Sequence, residues 1–146
     1  MISLKRLKLL VVDDNAHTLA NVTSQLHAVG VGRVVTAKGG TEAASLLAKE
    51  RFDAILTDWY MPDVNGESLI KIVHDQRFET NRGVPVVVMT AYATSENMKR
   101  AKALNVKDVL LKPLTEEKLG ETLTRLAEAI PARFDDGDGD EDFFAI

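Results

Sequence analysis

The chain has 146 residues, of which 45% are hydrophobic and 27% are charged, as expected for one globular domain with a buried core. No apolar run approaches the ~20 residues of a membrane-spanning helix, and the first residues lack a secretory signal. Cysteine is absent, which excludes a disulfide scaffold, thiolate metal ligands and cysteine catalysis. Together these features predict a cytoplasmic protein without membrane insertion.

The net charge of −4 is unevenly distributed. Residues 135–146 contain six acidic residues and no basic one, whereas residues 1–134 contain 18 basic and 16 acidic residues. A body with a net charge of +2 gives no reason to expect nucleic-acid binding. We therefore predict a folded body over residues 1–131 and an acidic, disordered tail over residues 132–146, with Phe143-Phe144-Ala145-Ile146 at its end.

Short apolar runs rich in β-branched residues alternate with longer segments of helical spacing. The runs predicted as strands are Leu7–Val12, Arg33–Thr36, Ala54–Thr57, Val84–Met89 and Val106–Leu111. Several of these runs are almost continuously apolar, as in strands that are covered on both faces. The alternation predicts an α/β fold with a doubly wound, parallel, five-stranded sheet and right-handed crossovers.

Helix boundaries agree with this pattern. Asn15 is suited to cap the first helix, and Gly30 follows its predicted end. Thr115 and the acidic residues after it favour the start of the last helix, which Pro131 ends.

Polar residues follow four of the five predicted strands. They are Asp13 and Asp14, Asp58, Thr90 and Lys112. Because sites in open parallel sheets form at the carboxyl ends of the strands, we expect these side chains to lie at one edge. Three carboxylates repel one another, and Lys112 together with a divalent cation would relieve the repulsion. Donors that are all oxygen favour Mg²⁺ over Zn²⁺, and the edge is suited to a carboxylate that accepts a phosphoryl group.

Any one of these residues alone is more simply a polar loop residue, but five at one sheet edge favour a site. At this point the sequence resembles the receiver domain of two-component response regulators, most closely the single-domain CheY-like type. The resemblance extends over residues 5–130 and rests on Leu10–Asp14, Asp58–Pro62 followed by Gly66, Met89–Ala91 and Leu110–Leu114. It implies a flavodoxin-like sheet with the strand order 2-1-3-4-5.

The resemblance also implies the role of each site residue. Asp58 would be the phosphoacceptor, supplied by the phosphohistidine of a histidine kinase or a phosphotransfer protein. Thr90 and Lys112 would contact the phosphoryl group. The implied ligands of Mg²⁺ are Asp13, Asp14, Asp58 and the backbone carbonyl of Tyr60. The protein would catalyse only its own phosphorylation and dephosphorylation, and would signal through the face formed by helix 4, strand 5 and helix 5, or through the tail.

Two features depart from the receiver pattern. Val109 occupies a position that often carries an aromatic switch residue, so the aromatic half of the switch is missing. Tyr60 and Tyr92 stand at two positions whose side chains, as the resemblance implies, would flank the path by which water attacks the phosphoryl group. These two rings either hinder that water and lengthen the phosphorylated state, or lie on the surface and shield nothing.

Other functions remain open from sequence alone. The chain could be a phosphorelay intermediate, a phosphate sink or an unphosphorylated pseudo-receiver adaptor. A phosphatase of the haloacid-dehalogenase type is disfavoured, because Tyr60 stands where that class needs a second aspartate. The basic cluster of Lys99, Arg100, Lys102 and Lys107 is a solvated face, a docking surface for an acidic or nucleotide partner, or a contact for the tail. No chemical role is assigned to His17, His27 or His74.

Overall fold

A computed structural model describes residues 2–75, 80–81 and 83–131. These residues form a five-stranded parallel sheet with the order β2-β1-β3-β4-β5. The strands are β1 (Lys8–Val12), β2 (Arg33–Ala37), β3 (Ala54–Asp58), β4 (Val86–Thr90) and β5 (Asp108–Leu111). The α-helices between and after them are α1 (Ala16–Ala28), α2 (Gly40–Lys49), α3 (Gly66–His74), α4 (Ser95–Ala103) and α5 (Glu116–Ala129). The predicted α/β class, doubly wound architecture and strand order are confirmed.

The sheet is covered on both faces, which explains why its central strands are almost continuously apolar. Along β1, Leu9 and Val11 belong to one buried cluster, whereas Leu10 and Val12 belong to the other. The first cluster includes apolar residues of α1 and α5, and the second includes residues of α2, α3 and α4. Since successive residues of a strand point to opposite faces, a sheet between two helical layers needs apolar residues at every position.

The predicted helix caps are present. The side chain of Asn15 accepts a hydrogen bond from the Thr18 N–H at the start of α1. Thr115 does the same with the Lys118 N–H at the start of α5. Gly30 follows α1 with a φ of 107°, a left-handed conformation that glycine adopts without the strain of a side chain. These caps fix where the helices begin relative to the ends of the strands.

Several strand boundaries differ from the sequence prediction. β4 begins at Val86 rather than Val84, because Pro85 has no N–H to donate to the ladder. β5 begins at Asp108 rather than Val106, because the Val106 N–H bonds to the carbonyl of Ala101 and closes the turn after α4. A short 3₁₀ helix, Leu4–Arg6, precedes β1, which begins at Lys8 rather than Leu7.

Asp58 and Thr90 are the last residues of β3 and β4, one residue later than the predicted ends of those strands. Both side chains are therefore held by the sheet itself. The predicted acidic tail, residues 132–146, lies outside the described residues, so the division into body and tail stays a prediction. In the part of the chain that the structure describes, no helix combines the length and apolarity needed to cross a bilayer.

Candidate functional site

Three carboxylates meet at the carboxyl edge of the sheet. One oxygen each from Asp13, Asp14 and Asp58 lies within 4.8 Å of the others. Asp13 and Asp14 follow β1 and Asp58 ends β3, and these two strands are hydrogen-bonded neighbours. Asp13 is fully buried, Asp58 is nearly so, and Asp14 is exposed. The cluster therefore has a buried floor and one side open to solvent.

The ammonium group of Lys112 also contacts this cluster, and this residue follows β5, an outer strand of the sheet. The Nζ atom of Lys112 lies 2.5 Å from Oδ2 of Asp13 and 3.2 Å from Oδ2 of Asp58. Lys112 follows β5, and its N–H bonds to the carbonyl of Thr90, which extends the pairing of β4 with β5. The peptide bond from Lys112 to Pro113 is cis. The side chain of Lys112 thus extends from the outer strand β5 to the acidic cluster at the ends of β1 and β3.

The charges at the site perturb one another. Burial raises the pKa of Asp58, the attraction of Lys112 opposes this shift, and the negative charge of Asp13 adds to it. Burial alone would lower the pKa of Lys112, but the hydrogen bond to Asp13 and the charge of Asp58 outweigh it and raise the pKa. Lys112 therefore carries its positive charge at neutral pH.

The donor set fits a hard divalent cation. Three ionised carboxylates and one ammonium leave two negative charges uncompensated in a largely buried space, which a doubly charged ion would balance. The donors are all oxygen atoms, as Mg²⁺ prefers. In residues 2–75, 80–81 and 83–131, this is the one acidic or histidine cluster arranged to hold a metal. It contains none of the three histidines, each of which is exposed on a helix.

Thr90 ends the strand beside β3 and is buried. Its Oγ1 accepts a hydrogen bond of 3.1 Å from the N–H of Tyr92. The hydroxyl is thus engaged by the loop that follows β4. Tyr60 approaches the site through its backbone, which makes a small contribution that lowers the pKa of Asp58. The predicted role of the Tyr60 carbonyl as a metal ligand stays a prediction.

The two tyrosines contact each other, which the sequence did not predict. Their rings lie 6.1 Å apart at an interplanar angle of 82°, an edge-to-face arrangement. The hydroxyl of Tyr60 also accepts a hydrogen bond from the side-chain amide of Asn97 in α4. The ring pair connects the loop after Asp58 to the loop after Thr90. Tyr60 is 50% exposed and Tyr92 is 67% exposed, so both alternatives for their role stay open.

Hydrogen bonds hold the loop after β3 in place at two residues, Asp63 and Gly66. Both carboxylate oxygens of Asp63 accept hydrogen bonds, from the N–H groups of Gly40 and Thr41 at the start of α2. Hydrogen bonds from the backbones of Thr41 and Val64 hold the pKa of Asp63 well below its usual range. No sequence pattern predicts this contact, because the partners are 22 or more positions apart.

The second of these residues is Gly66, and its surroundings explain why the receiver motif has a glycine here. The N–H of Gly66 donates to the carbonyl of Trp59 over 2.8 Å. A Cβ atom at Gly66 would lie 2.5 Å from the carbonyl oxygen of Asp58 and 2.9 Å from Cα of Trp59. Only a residue without a side chain allows α3 to begin this close to the backbone of the site.

The position that often carries an aromatic switch residue is held by Val109. Val109 lies on β5, is partly buried, and packs against the cluster that also contains Val88 and Ala101. The structure thus brings Asp13, Asp14, Asp58 and Lys112 together. Thr90 is on the strand beside Asp58, and its hydroxyl bonds to the Tyr92 backbone.

Comparison with known proteins agrees with this geometry. The model of the "Response regulator receiver domain" matches residues 9–124, and the chain belongs to this family. It is 32% identical to the chemotaxis protein CheY-3 of Vibrio cholerae over 86% of this chain and 95% of the relative. It is 30% identical to the chemotaxis protein CheY of Pseudomonas aeruginosa over 85% of this chain and 98% of that one.

Solved structures show the same fold. A CheY4 structure from Vibrio cholerae has a TM-score of 0.73 and 30% identity, covering 82% of this chain and 98% of its own. The receiver domain of the sensor histidine kinase PA1611 from Pseudomonas aeruginosa has a TM-score of 0.75 and 28% identity, over 84% and 98%. That structure has a magnesium ion coordinated in its active site cleft. The chain is therefore a CheY-like receiver, a class of protein that acts in two-component signalling.

Proposed function

We propose that this chain is a phosphoacceptor and that Asp58 takes a phosphoryl group from the phosphohistidine of a histidine kinase or a phosphotransfer protein. The observation that carries the proposal is the meeting of three carboxylates with the Lys112 ammonium. One carboxylate alone would be an ordinary polar residue. A buried acidic cluster with a compensating cation is suited to accept a phosphoryl group and to bind its oxygens.

In the proposed reaction, an ionised oxygen of Asp58 attacks the phosphorus atom. An oxygen–phosphorus bond forms as the phosphorus–nitrogen bond of the donor breaks, and the donor imidazole leaves with the electron pair and takes a proton from solvent. The product is an aspartyl phosphate, a mixed anhydride. Lys112, held in place by Asp13, would pair with a phosphoryl oxygen, and the Thr90 hydroxyl would contact another.

Asp13, Asp14, Asp58 and the backbone carbonyl of Tyr60 would hold Mg²⁺. When bound, the ion supplies positive charge that offsets the repulsion between the carboxylates and the incoming phosphoryl group. The charge deficit and all-oxygen donor set of this site support that assignment. The PA1611 receiver, with magnesium in its cleft, supports it by similarity.

We further propose that the output consists of phosphorylation-dependent protein contacts in the cytoplasm. The surface for these contacts would be the α4–β5–α5 face or the tail. The CheY relatives make chemotaxis the first pathway to test. A role as a phosphorelay intermediate or phosphate sink uses the same site without a binding output. Pull-down with phosphorylated and unphosphorylated chain, each with and without residues 135–146, separates these roles.

Incubation with acetyl phosphate and Mg²⁺, followed by intact mass measurement, tests the phosphoacceptor itself. We expect one phosphoryl adduct on the wild-type chain and none on Asp58→Asn or after chelation of the metal. The matched control is Asp75→Asn, which changes an aspartate at the far end of α3. A chain without any adduct would be a pseudo-receiver adaptor, and continuous phosphate release at enzyme-like rates would indicate a phosphatase.

A further inference from the structure

We propose that the acidic segment 135–146 of this chain binds the groove between α4 and β5, with Phe143 and Phe144 in the groove and the carboxylates against its lysines. The groove has a volume of about 350 Å³. It is lined by Met98, Lys99, Lys102, Val106, Asp108 and Val109. The proposal goes beyond phosphoryl transfer, because it concerns a surface away from the acidic cluster.

The groove offers an apolar contact area at the protein surface. Among the described residues, Met98 is one of four large hydrophobic side chains that are exposed, with 41% of its surface accessible. Val106 and Val109 lie partly buried beside it, packed against the cluster beneath α4. An apolar surface of this kind gains free energy when aromatic rings cover it.

Lys99 and Lys102 place two positive charges along the groove. In the chain segments that the structure describes, no ion pair engages Lys99 or Lys102. Arg100, the neighbour of Lys99, contrasts with them, because it pairs with Glu67 and Glu96. The acidic residue of the groove is neutralised elsewhere, since the Asp108 carboxylate pairs with Arg125 and Thr122. Two ammonium groups therefore remain for an acidic ligand.

The segment 135–146 has the complementary composition. Six carboxylates precede or adjoin two phenylalanines, an alanine and an isoleucine, and no basic residue interrupts them. The geometry of the chain brings it close. Pro131 and Lys107 line the same cavity, and Lys107 directly follows the groove residue Val106. Twelve residues from Pro131 to Phe143 can span ~40 Å, whereas a domain of this size has a radius of gyration of about 14 Å.

A competing position for the segment is the cavity beside Pro131 itself. That cavity is lined by Lys107 and Arg125, but Arg125 is already paired with Asp108. The α4–β5 groove therefore attracts the segment more strongly. Covalent linkage holds the segment at an effective concentration in the millimolar range, so even weak contacts keep the groove covered. A partner that uses the α4–β5 surface would have to displace it.

Zero-length carbodiimide cross-linking of the full chain tests this proposal, because it joins carboxylates only to amines in contact. After isolation of the monomer, we expect cross-links from residues 135–142 to Lys99 and Lys102 at about fivefold the yield at Lys38 and Lys49, which border and end α2. High salt should lower the yield. Equal yields at all exposed lysines, or cross-links mainly to Lys107, would overturn the proposal.

A second variant separates docking from diffuse charge attraction. Phe143→Ser with Phe144→Ser keeps every charge and changes none of the residues that the structure describes, and should lower the Lys99 and Lys102 yields about threefold. Ala145→Ser is the matched control and should leave them unchanged. In NMR spectra, the double change should shift the amides of Val106 and Val109 but not those of α2. Unaltered cross-link yields and chemical shifts in the double variant would contradict docking of the phenylalanines. In a mixture of isotope-labelled and unlabelled chains, cross-links formed mainly between the two kinds of chain would contradict intramolecular binding.

Discussion

The Nζ atom of Lys112 lies 2.5 Å from Oδ2 of Asp13, although the two residues are 99 positions apart in the sequence. β3 and β4 lie between the strands that these residues follow. The long lysine side chain therefore reaches across the edge of the sheet to a carboxylate that is fully buried. This ion pair places a positive charge at the site before any phosphoryl group arrives.

Replacing Lys112 tests what that charge does. Lys112→Ala should slow adduct formation from acetyl phosphate by about 100-fold, the usual scale for loss of one preorganised electrostatic contact. Lys107→Ala is the matched control, because Lys107 is an exposed lysine just before β5. The measurement is the rate of adduct formation by intact mass. Equal rates in the two variants would show that Lys112 serves only to neutralise Asp13.

Alanine substitutions at Gly66 and Gly120 test whether each position has room for a Cβ atom. Gly66→Ala should destabilise the fold by about 1–3 kcal/mol and slow phosphorylation, because its Cβ would overlap the backbone of Asp58 and Trp59. At Gly120 in α5, a Cβ would meet only Val29 at 3.8 Å, so alanine should stabilise the protein by about 0.5–1 kcal/mol. Chemical denaturation measures both. An unchanged free energy of unfolding in Gly66→Ala would contradict the described packing of α3 against the site.

Dephosphorylation kinetics distinguish the two alternatives for the tyrosine pair. If the edge-to-face rings hinder the attacking water, Tyr60→Asn with Tyr92→Ala should raise the dephosphorylation rate several-fold. Tyr60→Phe keeps the ring and removes only the hydroxyl that contacts Asn97, so it should keep the wild-type rate. The decay of the adduct after removal of acetyl phosphate is the measurement. An unaltered rate in the double variant would mean that the exposed rings shield nothing.

Asp63 should titrate at unusually low pH. Since folding lowers its pKa, the carboxylate stabilises the loop above the pKa of the unfolded chain, and this contribution is lost as pH falls through the folded pKa. Hydrogen bonds from Gly40 and Thr41 should therefore survive well below the usual carboxyl range. NMR titration of the Asp63 carboxyl carbon measures this directly. An ordinary midpoint would show that the contact with α2 is absent in solution.

Asp63→Asn offers an independent check of the same contact. A neutral amide is a weaker acceptor than a carboxylate, so the amides of Gly40 and Thr41 should exchange with solvent faster. Glu42→Gln is a suitable control, because it changes a carboxylate in the same turn of α2 that does not contact them.

The clustering of Asp13, Asp14, Asp58 and Lys112 could be predicted from the residues by a general rule, whereas the strand order was implied by the resemblance to receiver domains. Parallel strands align their carboxyl ends, and polar residues directly after apolar runs must collect there. The strand boundaries were less predictable. Val106 is apolar like the strand that follows, so its part in the turn after α4 depends on a bond to Ala101 that periodicity does not reveal.

Contacts between loops could not be predicted for a related reason. The pairing of Tyr60 with Tyr92 and the capping of α2 by Asp63 join residues that are distant in sequence and lie outside regular structure. Their geometry depends on the path of two loops at once, which no local pattern specifies. The motif glycine, Gly66, was recognised by resemblance, and its steric reason required the backbone positions of Asp58 and Trp59.

Reductive trapping of the phosphorylated chain tests the assignment of Asp58 most directly. Borohydride reduces an aspartyl phosphate to homoserine, and peptide mapping then identifies the modified position. After treatment with acetyl phosphate and Mg²⁺, we expect homoserine at position 58 alone. Homoserine at position 13, 14 or elsewhere, or none in a chain that carries the phosphoryl adduct, would contradict the assignment of Asp58 as the phosphoacceptor.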